Sequence, residues 1–204
     1  MNPIDLDHVL TVLGAAAWST EEQSRARVAG GLALAVYDGR TRDQGTPYLK
    51  HPLAVVMILR TEIGVSKPES LLLALLHDAL EVAPESEALL VQHLGGAFTA
   101  RLCAMTADHR LEQRPKAVGD ETRWRFKQAA LAAEDLLVRL ADRLHNLRDL
   151  AVSPNHDRRR RFLRSLGDFH LPLADAARGL SPQLEAMHSL LHTEYVRHRQ
   201  EIRP

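Results

Sequence analysis

A chain of 204 residues with 45% hydrophobic side chains suits one globular domain with a sizeable core. Basic and acidic residues balance at 26 each, so no global field favours nucleic acid or an anionic membrane as partner. The single cysteine, Cys103, excludes an internal disulfide framework and a multi-cysteine zinc site. The start, "MNPIDLDHVL", carries aspartates and no basic n-region, so it does not read as a signal peptide. No apolar run reaches the length of a bilayer span, and a soluble, cytoplasmic protein is expected.

Leucine and alanine dominate, aromatic residues are 4%, and apolar residues recur at helical rather than alternating spacing. Helices are predicted over 5–17, 21–38, 51–63, 68–82, 86–93, 95–106, 122–133, 134–151, 155–177 and 181–201. The breaks fall at "GTPY" (45–48), Pro68, Pro84, Gly95-Gly96, "RPKAVGD" (114–120), "SPN" (153–155) and "SP" (181–182). Ser66 before Pro68, Ser86 with Gln92 nearby, and Ser181-Pro182 have the chemistry of helix starts. The expected class is all-α, in one domain over 1–204.

Three stretches carry ionisable groups inside apolar runs. In "LLHDALEVAP" (75–84), Glu81 lies four residues beyond His77 and three beyond Asp78, so on a helix it shares a face with both. His77 and Asp78 would themselves point about 100° apart and can serve one centre only if it lies between them. The bland alternative is a helix boundary with a capping aspartate and a core histidine bonded to a carbonyl. In "VRLADRLHNLRDL" (138–150), Asp142 sits in an apolar register, with His145 and Asn146 on its face. There the alternative is an exposed stripe in which Asp142 pairs with Arg139 or Arg143. In "GTPYLKHPLAVV" (45–56), His51 precedes Pro52 and is expected at an N-cap, or else is an ordinary loop histidine. Together these stretches offer two imidazoles and two carboxylates, an N₂O₂ set that suits a borderline or hard divalent ion with positions left for water and substrate.

The order His51, His77-Asp78, Asp142 resembles the HD metal-dependent phosphohydrolases. More narrowly, "GRTRDQGTPYLKHP", "ALLHDALE" and "VRLADRLHNLRDL" are similar to the hydrolase domain of RelA/SpoT proteins and to the single-domain small alarmone hydrolases, over about residues 22–200. The resemblance implies an HD-type helical bundle with a metal between its helices. It also implies Mn²⁺-dependent removal of the 3′-pyrophosphate of (p)ppGpp, with no synthetase domain in this chain. Residue by residue it makes His51, His77, Asp78 and Asp142 the metal ligands, and Glu81 the acid that orients or deprotonates the attacking water. Arg42 matches an arginine that packs on the guanine base and Asn146 a nucleotide-contacting asparagine. Tyr48, in the Arg42 loop, reads as support for the site rather than a substrate contact.

Two positions depart from that pattern. The family reads His-Asp-x-x-Glu-Asp, and the second acid here is Val82; a lysine beside the base-stacking arginine is here Asp43. Between the second and third motifs, "ADHRLEQRPKAVGDETRWRFKQ" (107–128) supplies Lys116, Arg123, Arg125 and Lys127, which either neutralise a pyrophosphate or form a solvated charged loop and helix. Trp124 in that run reads as a core anchor. The four arginines of "NHDRRRRF" (155–162) would point in all directions from a helix, so no nucleic-acid patch is expected. The expected function is a Mn²⁺-dependent nucleotide phosphohydrolase acting on (p)ppGpp. Its alternatives are an HD phosphohydrolase of another nucleotide, such as NADPH or adenosine analogues, and a catalytically silent sensor that binds alarmone or metal.

Overall fold

Helix α1 (Leu6–Leu13) begins where the Asp5 carboxylate accepts from the His8 amide at 2.8 Å, and it stops at Gly14, whose φ of 72° is left-handed. The structure, a computed structural model, describes residues 4–150 and 155–201. The helix expected over 5–17 is therefore shorter, with a 3₁₀ turn at Ala15–Ala17. Helix α2 (Thr20–Tyr37) starts with a full capping box between Ser19 and Glu22. A Cβ at Gly30 would meet Leu6 at 2.7 Å, so a glycine lets α1 and α2 approach closely.

Helix α3 (Lys50–Met57) continues into a π-helical turn, Ile58–Glu62, as the 51–63 prediction requires. His51 is not its N-cap. That place belongs to Leu49, and His51 and Pro52 lie within the first turn, where a missing N–H costs nothing. Helix α4 (Pro68–Leu76) has Lys67 rather than Ser66 at its N-cap, and every residue from Ser70 to Leu76 is buried. A helix apolar on all sides belongs in a core, and α4 packs against α1, α2, α3 and Gly96–Ala104. Each fully buried leucine there contributes about 2 kcal/mol of transfer free energy.

The helix predicted over 68–82 is in fact two. It breaks at His77-Asp78, and a short helix α5 (Ala79–Val82) follows. Beyond it lie α6 (Glu87–Leu94), α7 (Gly96–Ala104), an unpredicted turn of helix α8 (Asp108–Leu111), and α9 (Asp120–Ala129). Ser86 stands at the N-cap of α6, but its hydroxyl donates to the Ala83 carbonyl and does not cap. Helix α9 starts earlier than the predicted 122 because Asp120 accepts from the Ala117 amide and from Arg114 and Arg123, which closes the 114–120 loop.

The contacts divide the chain into two compact units, Met1–Leu131 and Ala132–Pro204. In the second unit α10 (Ala133–Leu150) corresponds to the helix predicted over 134–151, of which residue 151 lies outside the described residues, as do Ser153 and Pro154 of the "SPN" break. Asn155 caps α11 (His156–Ser165), and a π-helical turn, Leu166–His170, leads into α12 (Leu171–Ala177). The Tyr195 hydroxyl would collide with any Cβ at Gly167, so a glycine lets that turn pack. The Ser181 hydroxyl accepts from the Leu184 amide and starts α13 (Pro182–Glu201), which packs on α10 and α12. Among the described residues there is no strand, only an isolated bridge between Thr41 and Pro47. No helix among them is long and apolar enough to cross a membrane.

Candidate metal centre

The break between α4 and α5 builds the site. Asp78 sits at φ −99°, ψ 0°, and its carbonyl accepts from the amides of both Glu81 and Val82, which restarts the helix in a new direction. On one continuous helix His77 and Asp78 would diverge; across the break they converge. His77 Nε2 lies 3.3 Å from Asp78 Oδ1, His51 Nε2 lies 3.4 Å from Asp78 Oδ2, and the two Nε2 atoms are 3.2 Å apart. One donor atom from each residue falls within 4.8 Å of the others, and all three residues are buried.

The bland reading of this stretch is partly present as well. The His77 Nδ1 lies 2.7 Å from the Ala74 carbonyl, and since a carbonyl only accepts, Nδ1 carries the proton. That bond fixes the tautomer and leaves the Nε2 lone pair facing the cluster, as a histidine ligand requires. Asp78 stands at a helix start but makes no side-chain cap; its Oδ2 instead accepts from the Tyr48 hydroxyl at 2.9 Å. Burial would raise the Asp78 carboxyl, but positive charge at the His77 and His51 rings holds it well below the usual carboxylate range, and a cation bound at their Nε2 atoms would supply that charge with the rings neutral. Burial, and then the Asp78 charge, push the Tyr48 phenol far up, so it stays a donor. Two nitrogens and a carboxylate converging in a dry place are electron-rich, and a divalent cation fits that donor set.

Tyr37 was not singled out from the sequence. It stacks on Tyr48 with ring centroids 5.4 Å apart, and its hydroxyl donates to the Leu75 carbonyl at 3.4 Å. The available sign was two tyrosines flanking one loop in a chain poor in aromatics. Glu81 is half-buried at 3.8 Å from Arg110 of α8, a partner that the sequence reading also passed over. Val82 beside it is half-buried. Arg42 lies in the turn before Tyr48, where its amide donates to the Thr46 carbonyl and its own carbonyl accepts from Gly45; Asp43 is exposed.

Each of the four candidate phosphate-binding cations has a local carboxylate. Lys116 and Arg125 pair with Glu121, Arg123 with Asp120, and Lys127 with Asp108. Trp124 is half-buried, while Phe126 in the same helix is 74% exposed.

Asp142 belongs to the second unit and is 1% exposed. Its Oδ2 accepts from Arg143 at 3.0 and 2.5 Å and lies 3.3 Å from Arg139, while Asn146 donates to Oδ1 at 2.6 Å. Both arginines of the bland reading do pair with it, but in a buried cluster rather than an exposed stripe. His170, in the π-helical turn, is pushed down to about 3 by burial and then by Arg143. Its Nδ1 lies 3.2 Å from the Ser165 carbonyl. Among the described residues the structure gathers His51, His77 and Asp78 into one cluster, and Asp142 into its own arginine-rich one.

An all-helical fold with a buried His-His-Asp cluster defines the class of protein to which this chain compares. A family model described as HD domain matches residues 29–178, so the chain belongs to the HD-domain family. It is 33% identical over 156 residues to the bifunctional (p)ppGpp synthase/hydrolase SpoT of Escherichia coli K12, covering 76% of this chain and 22% of SpoT. Over 112 residues it is 36% identical to the human guanosine-3′,5′-bis(diphosphate) 3′-pyrophosphohydrolase MESH1, covering 54% of this chain and 60% of MESH1. A solved structure of a metazoan ortholog of SpoT superposes with a TM-score of 0.67 over 87% of this chain and 96% of that one. At 23% identity that likeness speaks for the fold. The chain spans less than a quarter of SpoT and under two thirds of MESH1.

Proposed function

We propose that this HD-family chain is a Mn²⁺-dependent hydrolase that removes the 3′-pyrophosphate of (p)ppGpp, working as one hydrolase domain. The observation that carries the reading is the buried convergence of His51, His77 and Asp78 in a chain related to SpoT and MESH1. The family match over 29–178 runs through the boundary between the two units and supports treating them as one functional domain. His51, His77 and Asp78 hold the cation, and the motif order assigns the fourth ligand to Asp142. With no thiolate among these ligands, the set favours Mn²⁺ over a structural zinc ion.

A bound divalent ion supplies Lewis acidity toward the scissile phosphoryl group and an acidified water at neutral pH. Glu81 takes the proton of the attacking water as the new oxygen–phosphorus bond forms and the bond to the 3′-oxygen breaks. Pyrophosphate leaves, and the proton carried by Glu81 returns directly or through water to the departing 3′-oxygen, which remains as a hydroxyl. Arg42 packs on the base and Asn146 contacts the nucleotide. Lys116, Arg123, Arg125 and Lys127 turn from their carboxylate partners to meet the pyrophosphate, exchanging one ion pair for another.

Val82 and Asp43 favour a second reading, in which another nucleotide is the substrate or the chain binds alarmone without turnover. Incubation with ppGpp, NADPH and adenosine nucleotides, with released pyrophosphate and orthophosphate measured separately, distinguishes these. Pyrophosphate from ppGpp supports the proposal. Orthophosphate from NADPH alone, or tight ppGpp binding without product, overturns it in favour of the alternatives.

A further inference from the structure

The segment from Arg40 to Tyr48 is a closed hairpin whose last residue reaches the metal centre. Tyr48 N–H donates to the Arg40 carbonyl at 2.9 Å, Arg42 N–H to Thr46 at 2.9 Å, and Thr41 bridges Pro47. These bonds tie Arg42, near the turn of the hairpin, to Tyr48 at its base. Tyr37 of α2 clamps that base: its ring lies nearly parallel to Tyr48, at an interplanar angle of 10°. The Tyr48 ring also meets His51 edge-on at 6.3 Å. Its hydroxyl ends on Asp78 Oδ2, a charge-assisted bond to a buried carboxylate.

A carboxylate that ligates a metal needs its orientation held, because a rotation about χ1 or χ2 moves its oxygens away from the shared point. The Tyr48 hydroxyl supplies such a hold on the Asp78 carboxylate from outside the donor cluster. We propose that Tyr48 is a positioning residue for Asp78 and that, through its hairpin, it couples cation affinity to occupancy of the base site. The coupling half rests on the reading above that Arg42 holds the base; the positioning half does not. A ligand that orders the hairpin at Arg42 orders the hydroxyl that aims Asp78, and a cation that fixes Asp78 orders the hairpin. Such linkage is reciprocal by thermodynamic necessity.

The test uses the full chain and reads binding rather than turnover. Mn²⁺ affinity is measured by chelator competition for the wild type and Tyr48→Phe, with thermal unfolding alongside. Loss of an outer-shell partner lowers metal affinity by roughly 10–100-fold, and that loss is expected at an unchanged unfolding temperature. Guanosine is then added as probe, since it carries the base and no phosphate to touch the cation. It should tighten Mn²⁺ binding about fivefold or more in the wild type and leave Tyr48→Phe unmoved. Should Tyr48→Phe fail to fold, Tyr37→Leu keeps the Tyr48 hydroxyl but removes the ring stacked on it, with Tyr37→Phe, which loses only the Tyr37 hydroxyl, as control; a loss of Mn²⁺ affinity in Tyr37→Leu beyond that of Tyr37→Phe is expected. Equal Mn²⁺ affinity in wild type and variants overturns the positioning role while leaving the hydrolase reading intact. A guanosine effect that persists in Tyr48→Phe overturns the coupling. A wild type that binds no Mn²⁺ overturns the metal-centre reading itself.

Discussion

The Nε2 atoms of His51 and His77 approach to 3.2 Å, although the two residues stand 26 positions apart in the chain. His77 has its proton on Nδ1, so its Nε2 faces His51 as a lone pair. Replacing either ring by alanine removes a donor from a three-residue cluster. His51→Ala and His77→Ala are each expected to weaken Mn²⁺ binding by at least roughly 10²-fold, more than an outer-shell change does. Chelator competition measures this, and near wild-type affinity in both variants would show that the cation sits elsewhere.

Asp142 has a structural role beyond the one its motif suggests. It pairs with Arg139, which is 4% exposed, and with Arg143, so truncating it removes a buried ion-pair partner from both. Asp142→Ala is expected to lose metal and activity together and to lower unfolding free energy by about 3 kcal/mol. Asp142→Asn should keep the bond from Asn146 and lose less stability. Urea titrations of both variants check this; equal stability of Asp142→Ala and wild type would mean that the arginine cluster is supported without Asp142.

Glu81 lies beyond the cluster and is paired with Arg110. Glu81→Gln should retain stoichiometric Mn²⁺ and lose about 10²–10⁴-fold in kcat for ppGpp. Arg110→Ala removes one cation from beside the carboxylate and is expected to change kcat rather than metal affinity. Wild-type kinetics for Glu81→Gln would remove Glu81 from the mechanism.

Val82 stands where a second carboxylate belongs in the family pattern, and it is half-buried beside Glu81. A missing positioned acid or base lowers the rate by about 10²–10⁴-fold, so slow native hydrolysis of ppGpp is expected with nucleotide affinity retained. Val82→Asp should raise kcat at saturating Mn²⁺ more than it changes KM. If the native chain turns over briskly and Val82→Asp slows it, another group does the work of the missing acid.

His170 sets a pH dependence of stability in the second unit. Its pKa falls from 6.5 to about 3 on folding, through burial first and Arg143 second, with the Ser165 carbonyl and Asp142 opposing. Between those values the unfolded chain binds a proton that the folded chain refuses. The neutral ring's stabilisation is complete above pH 6.5 and is lost as pH falls toward 3. From pH 6.5 to 5 the loss is about 2 kcal/mol. His170→Asn should flatten the wild-type decline in denaturant titrations over that interval; parallel curves would mean that His170 does not titrate on unfolding.

Much of this was legible in the sequence. Helical periodicity located nearly every helix, and capping chemistry marked a true start at Ser181 but not at Ser66 or Ser86, where Lys67 takes the cap position and the Ser86 hydroxyl turns to a carbonyl; the capping box at Ser19 was passed over. His77-Asp78 was recognisable as anomalous, but the break that makes both face one point was not. An apolar run from Leu71 to Val82 reads as one helix, and only the backbone turn at Asp78 says otherwise. The motif order supplied Tyr48 as support, but its bond to Asp78 and the Tyr37 stack join residues far apart in the chain. The cations of 107–128 looked available for phosphate because their carboxylate partners depend on how the loop closes around Asp120.

The most direct test titrates Mn²⁺ into chelator-stripped protein while pyrophosphate release from ppGpp is followed, with bound metal counted in parallel. Release is expected to rise with bound Mn²⁺, to saturate at about one ion per chain, and to vanish again on adding chelator, as the proposed metal dependence requires. Pyrophosphate release that persists without metal, or a stoichiometrically loaded protein that releases none, would contradict a metal-dependent pyrophosphohydrolase.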